Sequence, residues 1–212
     1  MNTVLYSAQQ VPTLLYEQKV ELFENLLIST NREGMDKVVD FLRNTDFYTA
    51  PASSKFHSNY KHGLMDHSLI VYLLADKYKD LILSEKQELA GEIMDDSIIL
   101  ISLLHDICKT CLYIPVNKWK KDSSNNWMQY PSYELNDTFP IGHGEKSVIM
   151  LQNIGLKLNP DEMLAIRYHM GFFDDTQNKQ AQYSAIRMTP LVPILQMADY
   201  TASTMMESEV KF

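Results

Sequence analysis

The chain has 212 residues, about the size of one domain with room for an insert. Hydrophobic residues make up 45% and charged residues 22%, a balance typical of globular proteins that argues against intrinsic disorder or a fibrous protein. The formal net charge of −8 argues against a protein whose main role is non-specific binding to phosphate backbones.

The apolar pattern predicts a mostly helical chain. In its first part, amphipathic helices are expected over 11–30, over 35–43 and from Gly63 to about Lys79. The next run, Asp96–Ile107, is apolar nearly all round, so periodicity alone does not separate a buried helix from a buried strand. Its length and its helical neighbours favour a central helix, with Asp95 or Asp96 as the N-cap.

The sequence pattern changes between residues 112 and 135, a segment that is rich in aromatic residues and lacks helical periodicity. This segment predicts a β-hairpin or an ordered loop inserted into an α-helical domain. Three further helices are expected over 142–154, 160–169 and 189–205. The fold class is therefore predicted as all-α with a small insert.

The expected organisation is a single domain over 1–212, with N-terminal helices over 1–45 and a core over 46–205. No stretch reaches the roughly 18 consecutive apolar residues of a membrane span. The N-terminal sequence MNTVLYSAQQ lacks the basic start and the apolar core of a secretion signal. We therefore expect a cytoplasmic protein with no membrane partner.

Metal-competent side chains recur in the apolar helices after residue 60. His105-Asp106 ends a nearly uninterrupted apolar run, and a buried carboxylate needs a cation or hydrogen-bond donors. For this pair alone, a carboxylate bonded to a neighbouring side chain explains the pattern equally well. The full set favours one shared metal centre, and imidazole with carboxylate suits Mn, Fe, Co, Ni or Zn. The candidate ligands are His67, His105, Asp106, His143, His169 and Asp199.

Five motifs together resemble the HD superfamily of metal-dependent phosphohydrolases. They are HGLMDHSL (62–69), LLHDICK (103–109), IGHGEKS (141–147), IRYHMG (166–171) and LQMADYTAS (195–203). The longer stretch 46–69 is most similar to the HD domains of bacterial 3′–5′ exoribonucleases and relaxase-associated HD proteins. The resemblance implies an HD-type helical bundle that binds one or two divalent transition metal ions.

The resemblance also implies roles for single residues. The principal metal would be held by His67, His105, Asp106 and Asp199, with Asp106 bridging to a second metal in binuclear members. His143 and His169 match the additional histidines that hold this second metal. Asp106 and Lys109 would be the catalytic pair, with Lys109 meeting a substrate phosphate, and His57 would face the substrate. The chain departs from many relatives at Met170, where they have a second histidine, and at Cys108, where a glycine is usual.

Several charged residues near these ligands allow two interpretations. Lys109, Lys146 and Arg167 lie within four residues of proposed ligands and are candidate phosphate contacts, although each one alone is explained as well by a solvated charge. Glu145 and Asp66 could orient neighbouring imidazoles or pair with lysines.

The two cysteines, Cys108 and Cys111, form a C-x-x-C pair that invites a redox or zinc interpretation. No second cysteine pair and no βαβ context accompany them, so this interpretation is not favoured.

The sequence thus predicts a metal-dependent phosphohydrolase or phosphodiesterase acting on a nucleotide or a short nucleic acid through metal-activated water. The expected partner is a phosphorylated small molecule or short oligonucleotide, without extended non-specific nucleic-acid binding. Two alternatives stay open. One is a sensor that binds metal and nucleotide without turnover, and the other is a metal-stabilised structural module.

Overall fold

The structure, a computed structural model, describes residues 6–171 and 179–207. The described residues are mostly helical and carry one two-stranded antiparallel hairpin, in agreement with the prediction of an all-α fold with a hairpin insert. The α-helices are α1 (Tyr16–Ser29), α2 (Met35–Arg43), α3 (Gly63–Glu85), α4 (Asp95–Leu104), α5 (His143–Ile154), α6 (Pro160–Tyr168), α7 (Lys179–Met188) and α8 (Leu191–Thr201). None of the helices that the structure describes is long and apolar enough to cross a membrane.

Helix α3 lies at the centre of the fold and packs against α4 and α8, while α6 covers α8 and α5 covers α6. Its first turns are buried on every side, as Leu64, Met65 and Leu69 show. Helix α4 is buried over most of its length, and this explains why its sequence lacks an amphipathic pattern. The hydrophobic core therefore surrounds the helices that carry the predicted metal ligands.

The N-terminal helices are anchored to this core by buried charges. The Lys19 ammonium of α1 lies 2.7 Å from Asp66 Oδ1, and both side chains are almost fully buried. The ammonium also donates to Asp66 Oδ2, and the Tyr60 hydroxyl donates a third hydrogen bond to this carboxylate. Asp66 therefore fixes the start of α3 against α1 and does not orient the neighbouring imidazole.

The insert is a regular hairpin of β1 (Tyr113–Lys121) and β2 (Trp127–Leu135), paired from Tyr113 opposite Leu135 to Lys121 opposite Trp127. The Asp122 carboxylate accepts hydrogen bonds from two backbone amides of the connecting turn. Asparagine tolerates positive φ, which Asn125 adopts in this turn at 65°.

Several predicted boundaries are wrong. The first helix, expected over 11–30, is divided into a 3₁₀ segment, Ala8–Thr13, and α1, because the backbone of Leu14 and Leu15 between them is extended. Helix α3 runs on to Glu85 rather than ending near Lys79. Neither Asp95 nor Asp96 is the N-cap: Met94 takes that position. Both aspartates lie in the first turn, where their charges complement the helix dipole.

Two further differences concern the C-terminal part. Helix α7 is absent from the prediction because its sequence KQAQYSAIRM is polar overall. The expected helix 189–205 consists of α8 followed by a π-helical turn, Ala202–Met206.

Candidate metal centre

Four separate elements bring five of the six predicted metal ligands together. His67 lies in the second turn of α3, and His105 and Asp106 follow the last residue of α4. His169 is the C-cap of α6, and Asp199 lies in the third turn of α8. Residues that are far apart in sequence thus meet at the centre of the helical bundle.

The donor atoms of these side chains lie close to one another. His67 Nε2 is 3.2 Å from Asp199 Oδ1, 3.3 Å from His105 Nε2 and 3.6 Å from Asp106 Oδ2. His169 Nε2 is 3.6 Å from Asp106 Oδ1. Two triplets, His67–His105–Asp106 and His105–His169–Asp199, each have their donor atoms within 4.8 Å of one another. This spacing can accommodate a cation between imidazole and carboxylate ligands.

Backbone contacts direct two of the imidazoles. His105 Nδ1 lies 2.9 Å from the Ser102 carbonyl oxygen, and His169 Nδ1 lies 2.7 Å from the Ile166 carbonyl oxygen. A carbonyl oxygen can only accept, so Nδ1 carries the proton in both rings. The lone pair of each neutral imidazole is then on Nε2, the atom that faces the cluster.

Unsatisfied polar atoms in the cluster fit a bound cation. Asp106 Oδ1 and His169 Nε2 are buried and have no hydrogen-bond partner among the described residues. His67 Nε2 and His105 Nε2 face each other at 3.3 Å, an arrangement that requires a shared proton or a shared cation. Because buried polar atoms normally have partners, a divalent transition metal bound by these N and O donors would resolve both features.

The electrostatics of the cluster also favour a positive charge. Burial disfavours the imidazolium form of His67, but the carboxylates of Glu207 and Asp199 outweigh burial and raise its pKa to about 10. Burial likewise opposes ionisation of Asp106, but Lys109 and His105 hold the pKa of that carboxyl well below its usual range. In the absence of a metal, His67 therefore keeps a proton on the nitrogen whose lone pair would otherwise bind the metal.

Two predicted substrate residues lie beside the cluster. Lys109 Nζ is 2.6 Å from Asp106 Oδ2, and the lysine side chain is 9% exposed. The His57 ring centroid is 4.9 Å from that of His67, and burial lowers the pKa of His57 to about 4. His57 is therefore neutral at pH 7, and its Nε2 has no hydrogen-bond partner among the described residues.

Three other predicted residues lie outside the cluster. His143 begins α5 and belongs to none of the cation-competent groups found among the described residues, and its Nδ1 lies 3.8 Å from Cys108 Sγ. Lys146 Nζ lies 2.6 Å from Asp137 Oδ1. Arg167 forms an ion pair with Glu145. The predictions that His143 is a ligand and that Lys146 and Arg167 bind phosphate thus have no direct geometric support.

The two cysteines are not bonded to each other in the structure. Both cysteines are free, with Cys108 buried and Cys111 exposed. Burial raises the pKa of the Cys108 thiol to about 12, so the reactive thiolate is disfavoured.

Sequence reasoning missed one residue of the site, Glu207, which directly follows the π-helical turn after α8. Its Oε1 lies 2.9 Å from His67 Nδ1, and the Ser58 hydroxyl donates to its Oε2 at 2.6 Å. Glu207 is the acceptor that places the His67 lone pair on Nε2, the role that carboxylates commonly have behind metal-binding histidines. The one available signal was the need of His67 for such an acceptor, and nothing in the local sequence points to position 207.

A comparison with known proteins finds a phosphodiesterase. The chain is 32% identical over 111 residues to the dihydroneopterin 2′,3′-cyclic phosphate phosphodiesterase of Methanocaldococcus jannaschii. The match covers 46% of this chain and 42% of that enzyme, so the chain spans less than half the length of this relative. No family model matches the chain. No solved structure matches it either.

Proposed function

We propose that the protein is a metal-dependent phosphohydrolase of the HD superfamily that cleaves a phosphate ester. The observation that carries the proposal is the convergence of His67, His105, Asp106, His169 and Asp199 on one buried cluster with unsatisfied donor atoms. The similarity to a phosphodiesterase supports the same class of reaction.

In this proposal the principal metal ion is held by His67, His105, Asp106 and Asp199. His169, whose Nε2 lies 3.6 Å from Asp106 Oδ1, would help Asp106 to hold a second ion. His143 stays a predicted ligand of a second ion. The donor set suits Mn, Fe, Co, Ni or Zn, and one or two ions are expected.

A divalent metal in the cluster would supply Lewis-acid polarisation of the phosphoryl group and activation of water for hydrolysis. Lys109 keeps Asp106 ionised and oriented through their 2.6 Å contact. Its ammonium also adds a fixed positive charge close to where an anionic phosphate would bind. Neutral His57, whose Nε2 has no partner, can donate a hydrogen bond to the substrate or accept one from it.

The relative is named for a cyclic phosphate diester, and the same kind of substrate is the first to test here. The net charge of −8 favours a small phosphoester over a long polyanion, since a long polyanion experiences the field of the whole protein. The proposed substrate class is therefore a nucleotide-sized phosphate ester.

The test is a hydrolysis assay on protein stripped of metal and then loaded separately with Mn²⁺, Fe²⁺, Co²⁺, Ni²⁺ or Zn²⁺. The substrates are nucleoside 2′,3′-cyclic phosphates, nucleoside mono- and triphosphates, a dinucleotide and bis(p-nitrophenyl) phosphate. Hydrolysis is expected with at least one metal, and it should be lost in Asp199→Asn while the exposed control Asp80→Asn remains active.

Two results would overturn the enzyme proposal. The first is no turnover of any substrate with any metal. The second is equal activity of Asp199→Asn and the control. Tight binding of a nucleotide without turnover would instead support the alternative of a metal-dependent sensor.

A further inference from the structure

A cavity of about 700 Å³ adjoins the candidate metal centre between the end of α6 and α8. His169 and Asp199 belong both to its lining and to the metal-competent cluster. The remaining lining residues have no part in the hydrolytic site described above. The volume lies in the usual range for small-molecule sites.

The metal centre is accessible on the side of this cavity. The side chains of His67 and His105 are fully buried, and that of Asp106 is 3% exposed. The side chain of Asp199 is 13% exposed and lines the cavity. A phosphate that reaches the cluster past Asp199 would leave the organic part of its ester in the cavity.

The cavity wall is largely apolar. Met170, Met197 and Tyr200 contribute to it, and the last two are 41% and 55% exposed. Among the described lining residues there is no lysine or arginine. A thioether and a phenol ring suit the face of a flat, uncharged ring, because sulfur and π-systems both interact favourably with aromatic groups.

We propose that this cavity binds the uncharged planar ring of a small phosphoester whose phosphate lies at the metal centre. This inference rests on the proposed hydrolytic function and specifies its substrate class. The described part of the lining has none of the cationic side chains that bind along a nucleic-acid strand, which favours a small ester over a polynucleotide. The selective element is Tyr200, on the same helix as the candidate metal ligand Asp199.

The first test compares two cyclic diesters that differ in the base alone. Adenosine 2′,3′-cyclic phosphate carries an adenine, whereas methyl β-D-ribofuranoside 2′,3′-cyclic phosphate carries a methoxy group in its place. Tyr200→Ala should reduce the preference for the adenosine compound, measured as the ratio of kcat/KM values, by about tenfold, the scale of one base–aromatic stacking contact. The control Tyr183→Ala removes a tyrosine of similar exposure (52%) on α7, outside the cavity lining, and should leave this ratio unchanged.

The second test needs neither metal nor turnover. Adenosine is titrated into the metal-free protein, and the methyl signals of Met170 and Met197 are followed by NMR, with Met170→Leu and Met197→Leu for assignment. Both signals should shift in the wild type and in Tyr183→Ala, and the shifts should require a higher adenosine concentration in Tyr200→Ala.

The outcomes separate this inference from the proposed function. If both diesters are hydrolysed but Tyr200→Ala and Tyr183→Ala have equal preference ratios, the cavity is not the ring site and the hydrolase proposal stands. If neither diester is hydrolysed but adenosine shifts the two methyl signals in a Tyr200-dependent way, the ring site stands and the hydrolase proposal fails. Absence of any adenosine-dependent shift overturns the ring site.

Discussion

Removal of the Glu207 carboxylate should weaken metal binding without breaking the fold. Glu207 accepts from His67 Nδ1 at 2.9 Å, and its side chain is 2% exposed. A buried hydrogen bond to a charged group contributes about 1.5–3 kcal/mol, which corresponds to about 10- to 100-fold in affinity. We expect a loss near tenfold for Glu207→Gln, which keeps an acceptor, and near 100-fold for Glu207→Ala, in line with partners of metal-binding histidines generally.

The pH dependence distinguishes orientation of His67 from a general structural effect. Glu207 raises the pKa of His67, so in the wild type a proton competes with the metal for Nε2 up to a pH of about 10. In the variants the pKa is lower and this competition is weaker at neutral pH. The loss of affinity should therefore be smaller at pH 6 than at pH 9.

The assay is competition for Zn²⁺ against a chromogenic chelator, with circular dichroism to confirm the fold. Ser58→Ala removes the other partner of Glu207 and should give a smaller loss in the same direction. The control Glu92→Gln changes an exposed glutamate and should bind as the wild type does. Equal affinity of Glu207→Ala and the wild type at both pH values would refute the orienting role.

Three further predictions concern stability, all measured by urea unfolding. Without metal, the stability should fall as pH rises from about 6.5, the ordinary pKa of histidine, to about 10, the raised pKa of His67. In this pH range the folded state holds a proton that the unfolded state has lost. The free energy of unfolding should therefore fall by up to about 1.4 kcal/mol per pH unit. A free energy of unfolding that does not change with pH would contradict this. Lys19→Met should cost about 3 kcal/mol by leaving the Asp66 carboxylate buried without its cation, and an effect below about 1 kcal/mol would show that the pair does not anchor α1. Gly144→Ala should cost about 2 kcal/mol or more, because the new Cβ would lie 2.2 Å from a carbonyl oxygen of α6, whereas Gly91→Ala meets nothing within 4 Å and serves as the control.

The sequence predicts the elements whose apolar faces are large. The start of α3 and the existence of helix α4 could be predicted from apolar residues that have to be buried. The aromatic hairpin could be predicted because its sequence lacks helical periodicity. Helix α7 was missed because Gln182 and Ala185 are its buried residues, and neither gives a hydrophobic signal. Element existence is thus predictable where burial is carried by large apolar side chains.

The site was predictable to the extent that its residues are costly to bury. His105 and Asp106 stand out in an apolar run, and the structure places both in the cluster. His143 is also a histidine, but its imidazole lies beside Cys108. Sequence spacing does not give the direction of a side chain, so this position could not be predicted. Glu207 could not be predicted, because it contacts His67 from 140 residues further along the chain, on the side of the ring away from the cluster.

The ends of α4 and α6 couple folding to the geometry of the site. The last carbonyl groups of a helix have no partner within the helix, so they need donors from elsewhere. His105 and His169 supply such donors to Ser102 and Ile166, and the same contacts turn each Nε2 toward the cluster. One hydrogen bond therefore completes the helix end and orients the ligand, so these two imidazoles are preorganised when the bundle folds. Because a metal bound to the folded cluster has no equivalent site in the unfolded chain, its binding free energy adds to the stability of the fold.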